Sequence, residues 1–167
     1  MAKRKLVLEG DETLRKKSRE VTEFNAKLGQ LLDDMAETMY AYDGAGLAAV
    51  QVGVLRRAVV IDAGGGLREL VNPVMLETRD TQTGGEGCLS FPDKWGEVTR
   101  PKWVKVKAQD RNGKEFTLEG EDLLARALCH ELDHLDGVLF VDLADEIELS
   151  DDRPRRRRRR ERRQDGN

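Results

Sequence analysis

Between residues 24 and 42 apolar side chains recur every three or four positions, at Leu28, Leu31, Leu32, Met35, Ala36 and Met39, which predicts a long amphipathic helix packed on the core. A short helix is expected at residues 11–15. The pattern then turns strand-like over residues 57–62, and Gly64-Gly65-Gly66 reads as a turn into a strand over 67–76 that Asn72-Pro73 interrupts. Clean alternation over 103–108, the turn Asp110-Arg111-Asn112-Gly113 and a return over 114–118 make a hairpin. Helical spacing resumes at Leu123, Leu124, Ala127, Leu128, Leu132 and Leu135, with Gly137 as its stop, and residues 138–141 are expected to add a last strand. Strands outnumber helices and the connections are too short for repeated crossover helices, so the expected class is α+β: antiparallel β-sheets packed around a central helix.

The 167-residue length fits one domain with a useful core. No run approaches the roughly 20 apolar residues of a membrane span, and Met1-Ala2-Lys3-Arg4-Lys5 leads into no secretory signal, so a cytoplasmic, non-membrane protein is expected, acting as a monomer. Charge divides the chain. Residues 153–167 hold nine arginines against Glu161 and Asp165, a surplus of seven positive charges, so the overall −3 leaves −10 on residues 1–152. A self-repelling arginine run cannot bury a core, and the expected organisation is a folded unit at 1–148 with a disordered tail at 149–167. The tail is either a solvated appendage or a phosphate-binding element, RNA being the natural partner, although it has no aromatic residue to stack on bases.

Both histidines of the chain lie in His130-Glu131-Leu132-Asp133-His134, within the second helical pattern. Residues four apart share a helix face, so both imidazoles can reach one metal ion, while Glu131 stands beside a metal-activated water as general base. A catalytic site of this kind commonly takes three protein ligands. Cys88, in Gly84-Gly85-Glu86-Gly87-Cys88-Leu89-Ser90, is the candidate for the third, since a thiolate is a strong ligand and the glycines permit close backbone approach. Cys129 points about 100° away from His130 and reads as a small core residue. With only two cysteines in the chain a structural disulfide is not expected.

Three segments, Gly44-Ala45-Gly46-Leu47-Ala48-Ala49-Val50-Gln51, then Glu86-Gly87-Cys88-Leu89-Ser90, then His130-Glu131-Leu132-Asp133-His134-Leu135, in this order and spacing, resemble the bacterial peptide deformylase family. The likeness extends over roughly residues 5–145, through Asn72-Pro73, Arg100-Pro101 and residues 137–142. It implies hydrolysis of the N-formyl group from the initiator methionine of nascent chains, releasing formate. It also implies a ferrous ion (Fe2+) on Cys88, His130 and His134. Zinc, nickel and cobalt accept the same donors. The same resemblance assigns Glu131 as general base and then acid, and the Gln51 amide and Leu89 N–H as oxyanion donors.

On the substrate side the resemblance points to Ala45, Gly46 and Gly87, with Gly46 offering its backbone. Leu123, Arg126 and Ala127 share a helix face with His130 and are candidates for the methionine pocket, with Arg126 alternatively bonded to a carboxylate or backbone group. Trp95 either packs on the substrate's second or third residue or belongs to the surface. Ala45, Gly84 and Gly85 replace larger residues frequent in the family, and the arginine tail is not a standard element of it. A basic extension contacts the ribosome in some members, which makes ribosomal RNA the expected partner of residues 153–163. Two other readings compete: a zinc peptidase, which usually draws its third ligand from a downstream histidine or glutamate, and an RNA-binding protein with a structural metal.

Overall fold

The computed structural model describes residues 2–149. Helix α1 spans Ala26–Ala41 and is opened by Asn25, whose side chain accepts from the Leu28 N–H at 3.2 Å. Helix α2 spans Asp122–Leu135. The strands are β1 (Gly46–Ala48), β2 (Ala58–Ile61), β3 (Arg68–Cys88), β4 (Phe91–Gln109), β5 (Glu115–Glu121) and β6 (Ile147–Leu149), with 3-10 turns at Glu12–Arg15, Ala49–Val52 and Phe140–Asp142. They form one connected sheet in the order β1-β2-β3-β4-β5, with β6 on β4 and antiparallel ladders throughout. The α+β class read from the sequence is the class observed, and its central helix is α2.

The apolar run Ala58-Val59-Val60-Ile61 does not alternate because both its faces are covered. Val59 and Ile61 join Leu70, Val104 and Val106 in packing on Ala125, Leu128, Leu132 and Leu135 of α2. Ala58 and Val60, with Leu47 and Val71, pack instead on Leu28, Leu32, Met35 and Met39 of α1. Every residue of α2 from Ala125 to Leu132 is buried, so the histidine-bearing helix runs through the interior. It ends at Gly137, whose φ of +75° disfavours other residues and whose Cα faces the Arg15 carbonyl so closely that a side chain has no room.

Two expectations about strands are corrected. Asn72-Pro73 does not interrupt β3. The register slips there, from Val71 opposite Gln109 to Val74 opposite Lys107, and the strand continues to Cys88. Asn72 takes a φ of +51° and its side chain bonds the Val21 N–H at 2.8 Å, the Val21 carbonyl and the Gln109 amide, replacing ladder bonds that the bulge and proline forgo. Residues 138–141 form no strand. Asp142 accepts from the Leu139 N–H at 3.1 Å, which closes the 3-10 turn, and Phe140 buries edge-on against Phe91 at 5.5 Å between centroids. The tail from residue 150 onward lies outside the described residues.

Candidate active site

His130 and His134, one turn apart on α2, bring their Nε2 atoms within 3.2 Å of each other, and Cys88 at the end of β3 places Sγ 3.3 Å from the His134 Nε2. Bonds of about 2.0 Å to nitrogen and about 2.3 Å to sulfur around a tetrahedral ion separate ligand atoms by roughly 3.3–3.6 Å. The observed spacings fit such an ion, and the three ligand atoms all lie within 4.8 Å of one another. Cys129 points into the core, and burial pushes its thiol up to about 11. Both cysteines are free thiols.

Glu86, quoted in the sequence motif without a role, proves central. Being two residues before Cys88 on β3, it shares the inward side of the strand. Its Oε2 lies 2.7 Å from the His130 Nδ1. Arg100 grips it with both Nε (3.1 Å) and Nη2 (2.7 Å), and Arg126 adds a bond at 3.1 Å. Arg100 also reaches Asp133 at 2.6 Å, tying β4 to α2. Burial alone would raise the Glu86 carboxyl, but the His130 and Arg100 donors outweigh it and hold it at about 2. An ionised Glu86 accepting from the Nδ1–H of His130 leaves the Nε2 lone pair facing the site, the arrangement that orients metal-binding imidazoles.

Glu131 is different. Burial pushes its carboxyl up to about 7 although His130 pulls the other way. Its Oε1 sits 3.7 Å from the His130 Nε2, and its buried Oε2 has no hydrogen-bond partner among the described residues. An orphaned buried carboxylate oxygen beside three converging ligand atoms is suited to exchanging protons with a molecule that enters from outside. Gly46 makes room for it: a Cβ there would lie 2.9 Å from the Glu131 Cγ.

Gln51 is buried in the 3-10 turn after β1. Its Oε1 accepts from the Ala48 N–H at 2.9 Å, and its Nε2 faces the Ser90 Oγ at 3.1 Å and the Cys88 Sγ at 3.4 Å. Leu89 joins β3 to β4 directly after Cys88, and a Cβ on Gly44 would meet its side chain at 2.6 Å. The loop before β1 therefore lies directly on the turn after Cys88.

β1 is an end strand of the sheet. The Asp62 N–H bonds the Ala45 carbonyl at 2.9 Å, so by antiparallel alternation Gly46, opposite Ile61, turns its own N–H and C=O away from β2. Ala45 and Gly46 are half-buried and Gly87 is exposed. On α2, Leu123 is exposed, Ala127 is buried, and the Arg126 guanidinium is committed to Glu86 and the Val98 carbonyl. Trp95 pairs with Gly87 and its ring covers Gly85, which places it on the side of the hairpin opposite Glu86 and Cys88.

Comparison with known proteins gives the family. Residues 3–150 match the polypeptide deformylase family. The chain is 64% identical to the peptide deformylase of Thermoanaerobacter pseudethanolicus over 135 residues, covering 81% of this chain and 85% of that one. It is 62% identical to the peptide deformylase of Caldicellulosiruptor bescii over 142 residues, covering 85% and 86%. The crystal structure of peptide deformylase from Thermotoga maritima superposes with a TM-score of 0.85 at 42% identity, covering 87% of this chain and all of that one.

Proposed function

This chain belongs to the polypeptide deformylase family, metal-dependent hydrolases that remove the N-formyl group from nascent polypeptides, and we propose that Cys88, His130 and His134 hold its metal with Glu131 as the proton-transfer group. The observation that carries this reading is the convergence of three ligand atoms beside the unpartnered Glu131 Oε2. A divalent ion bound there supplies Lewis-acid polarisation of the formyl oxygen and makes water nucleophilic near neutral pH. Glu131 takes the proton of the attacking water and returns it to the departing amine nitrogen. Burial, which favours its protonated form, suits it to holding that proton between the two steps. The Gln51 Nε2 and the Leu89 N–H donate to the oxygen on which negative charge develops.

The outward N–H and C=O of Gly46 pair with the peptide backbone of the substrate, main chain to main chain. Ala45 and Gly87 border the same cleft, and Leu123, Ala127 and the aliphatic stem of Arg126 border the methionine side chain. Fe2+ is the proposed resident ion, with zinc, nickel or cobalt as substitutes for the same donors. The expected outcome of anaerobic purification with metal analysis is iron bound one to one with protein. On formyl-Met-Ala-Ser, Glu131→Ala should retain the metal and lose formate release by about 10²–10⁴-fold. Full activity in that variant would remove Glu131 from the mechanism.

No helix among the described residues is long and apolar enough to cross a membrane. A monomer working in the cytoplasm, where formylated chains are made, is the setting we propose. Its catalytic unit is residues 1–148, and the arginine-rich residues 153–163 of the 149–167 tail hold it to ribosomal RNA through counterion release. Deleting residues 153–167 should weaken ribosome binding and flatten its salt dependence. Unchanged, equally salt-sensitive binding would sink the tail's role, and light scattering reads the oligomeric state.

A further inference from the structure

We propose that Ser90 is a positioning residue that holds the Gln51 amide nitrogen in place for the reaction, an inference that rests on reading Gln51 as an oxyanion donor. A carboxamide can be held either way round, and only its nitrogen end can donate. In this fold one buried neighbour makes the choice and a second holds the result. The Ala48 N–H, having only a hydrogen to offer, takes the Gln51 oxygen at 2.9 Å. The Ser90 hydroxyl, fully buried, accepts from the nitrogen at 3.1 Å. One N–H of the amide is thereby anchored on Ser90, and the nitrogen also lies 3.4 Å from the Cys88 sulfur, at the edge of the reaction centre.

The backbone braces this arrangement from a third direction. The Val7 N–H bonds the Gln51 carbonyl at 2.7 Å, and the Glu9 N–H bonds the Ser90 carbonyl at 2.8 Å. One N-terminal segment thus ties together the turn carrying the donor and the turn carrying its anchor. What remains free is the terminal torsion of the Gln51 side chain, which is intrinsically broad. The Ser90 Oγ is the oxygen contact that holds it from the nitrogen side, beside the longer approach to the Cys88 sulfur. Preorganised donors stabilise developing charge because no reorientation is needed at the moment of reaction. Since that charge exists only in the transition state, loss of the anchor falls on kcat rather than KM.

The test uses metal-loaded enzyme at equal metal content, comparing Ser90→Ala, Ser90→Cys, Gln51→Ala and the double variant Ser90→Ala/Gln51→Ala. Cysteine nearly preserves the side-chain volume with a weaker acceptor, and stands in should the alanine variant melt early. Expected are a roughly tenfold fall in kcat for Ser90→Ala with KM within about twofold, smaller than the roughly 10²–10³-fold loss typical of deleting an oxyanion donor outright. Ser90→Cys should fall between wild type and Ser90→Ala, and the double variant should be no slower than Gln51→Ala. In 15N-labelled zinc-loaded protein the Gln51 side-chain amide resonances should move in Ser90→Ala. Unmoved resonances, or kcat losses that multiply in the double variant, would overturn the part given to Ser90. Undiminished kcat in Gln51→Ala would instead overturn the oxyanion reading on which it rests.

Discussion

Gly46 and Glu131 are in contact across the site: the position of a Cβ on Gly46 lies 2.9 Å from the Glu131 Cγ and 3.0 Å from its carboxyl carbon. Strand β1 and helix α2 thus meet through a missing side chain, and the room it leaves sets where the carboxylate stands. Gly46→Ala should displace Glu131 and lower kcat at least about tenfold, since small misplacements of a catalytic group are costly. Steady-state kinetics at matched metal content checks this, and an unchanged kcat would show that the contact is not limiting.

Glu86 fixes the His130 ring while neutralising Arg100 and Arg126, all of them buried. Glu86→Gln should weaken metal affinity about 10–100-fold, the usual effect of removing such a partner. It should also destabilise the fold by about 3–5 kcal/mol, because the buried Arg126 guanidinium loses its counter-charge and Arg100 keeps only Asp133. Chelator competition and urea unfolding read the two effects separately.

Asp34 on α1 anchors the N-terminal segment, accepting from the Ala2 N–H at 2.8 Å, the Arg4 Nε at 2.9 Å and the Gln30 amide at 2.6 Å. Burial favours its neutral form, but these donors prevail and hold its carboxyl below the ordinary value. A carboxylate lowered on folding contributes stability above the unfolded value of about 3.9, and that contribution disappears as pH falls through the folded pKa. Asp34→Asn should therefore be less stable than wild type at neutral pH, with the gap closing as pH falls below the ordinary carboxylate range. Urea midpoints across that range decide it, and a gap independent of pH would assign the loss to packing.

Gly137 closes α2 with a φ of +75°, and its Cα faces the backbone of Arg15. Gly137→Ala should cost more than the roughly 1–2 kcal/mol of a left-handed residue alone, because the added methyl also collides with the Arg15 carbonyl. Thermal unfolding should show a lowered Tm. A Tm within about a degree of wild type would mean the chain relaxes there freely.

Periodicity alone located α1 and α2 within a few residues, since a buried helix face must repeat every three or four positions. The convergence of Cys88, His130 and His134 was also legible, because i and i+4 on a helix are neighbours in any context and only one other strong donor stood in a glycine-rich segment. Strand length was not. Local signals at Asn72-Pro73 spoke for a break, whereas the bonds that carry β3 through come from Val21 and Gln109, distant in sequence.

The same reason separates the two kinds of knowledge about the site. The candidate ligands and Glu131 were singled out by spacing, a property of the chain. The charge network of Glu86, Arg100, Arg126 and Asp133 has a different origin, as does the seating of Gln51 between Ala48 and Ser90. Each depends on residues tens of positions apart meeting in space, as Glu86 and His130 do across 44 residues and Gln51 and Ser90 across 39. Glu86 and Glu131 are the same amino acid in the same neighbourhood, yet one is held ionised at about 2 by its partners and the other is raised to about 7 by burial. Residue type could not distinguish them. Packing did, by surrounding one carboxylate with donors and leaving an oxygen of the other without one.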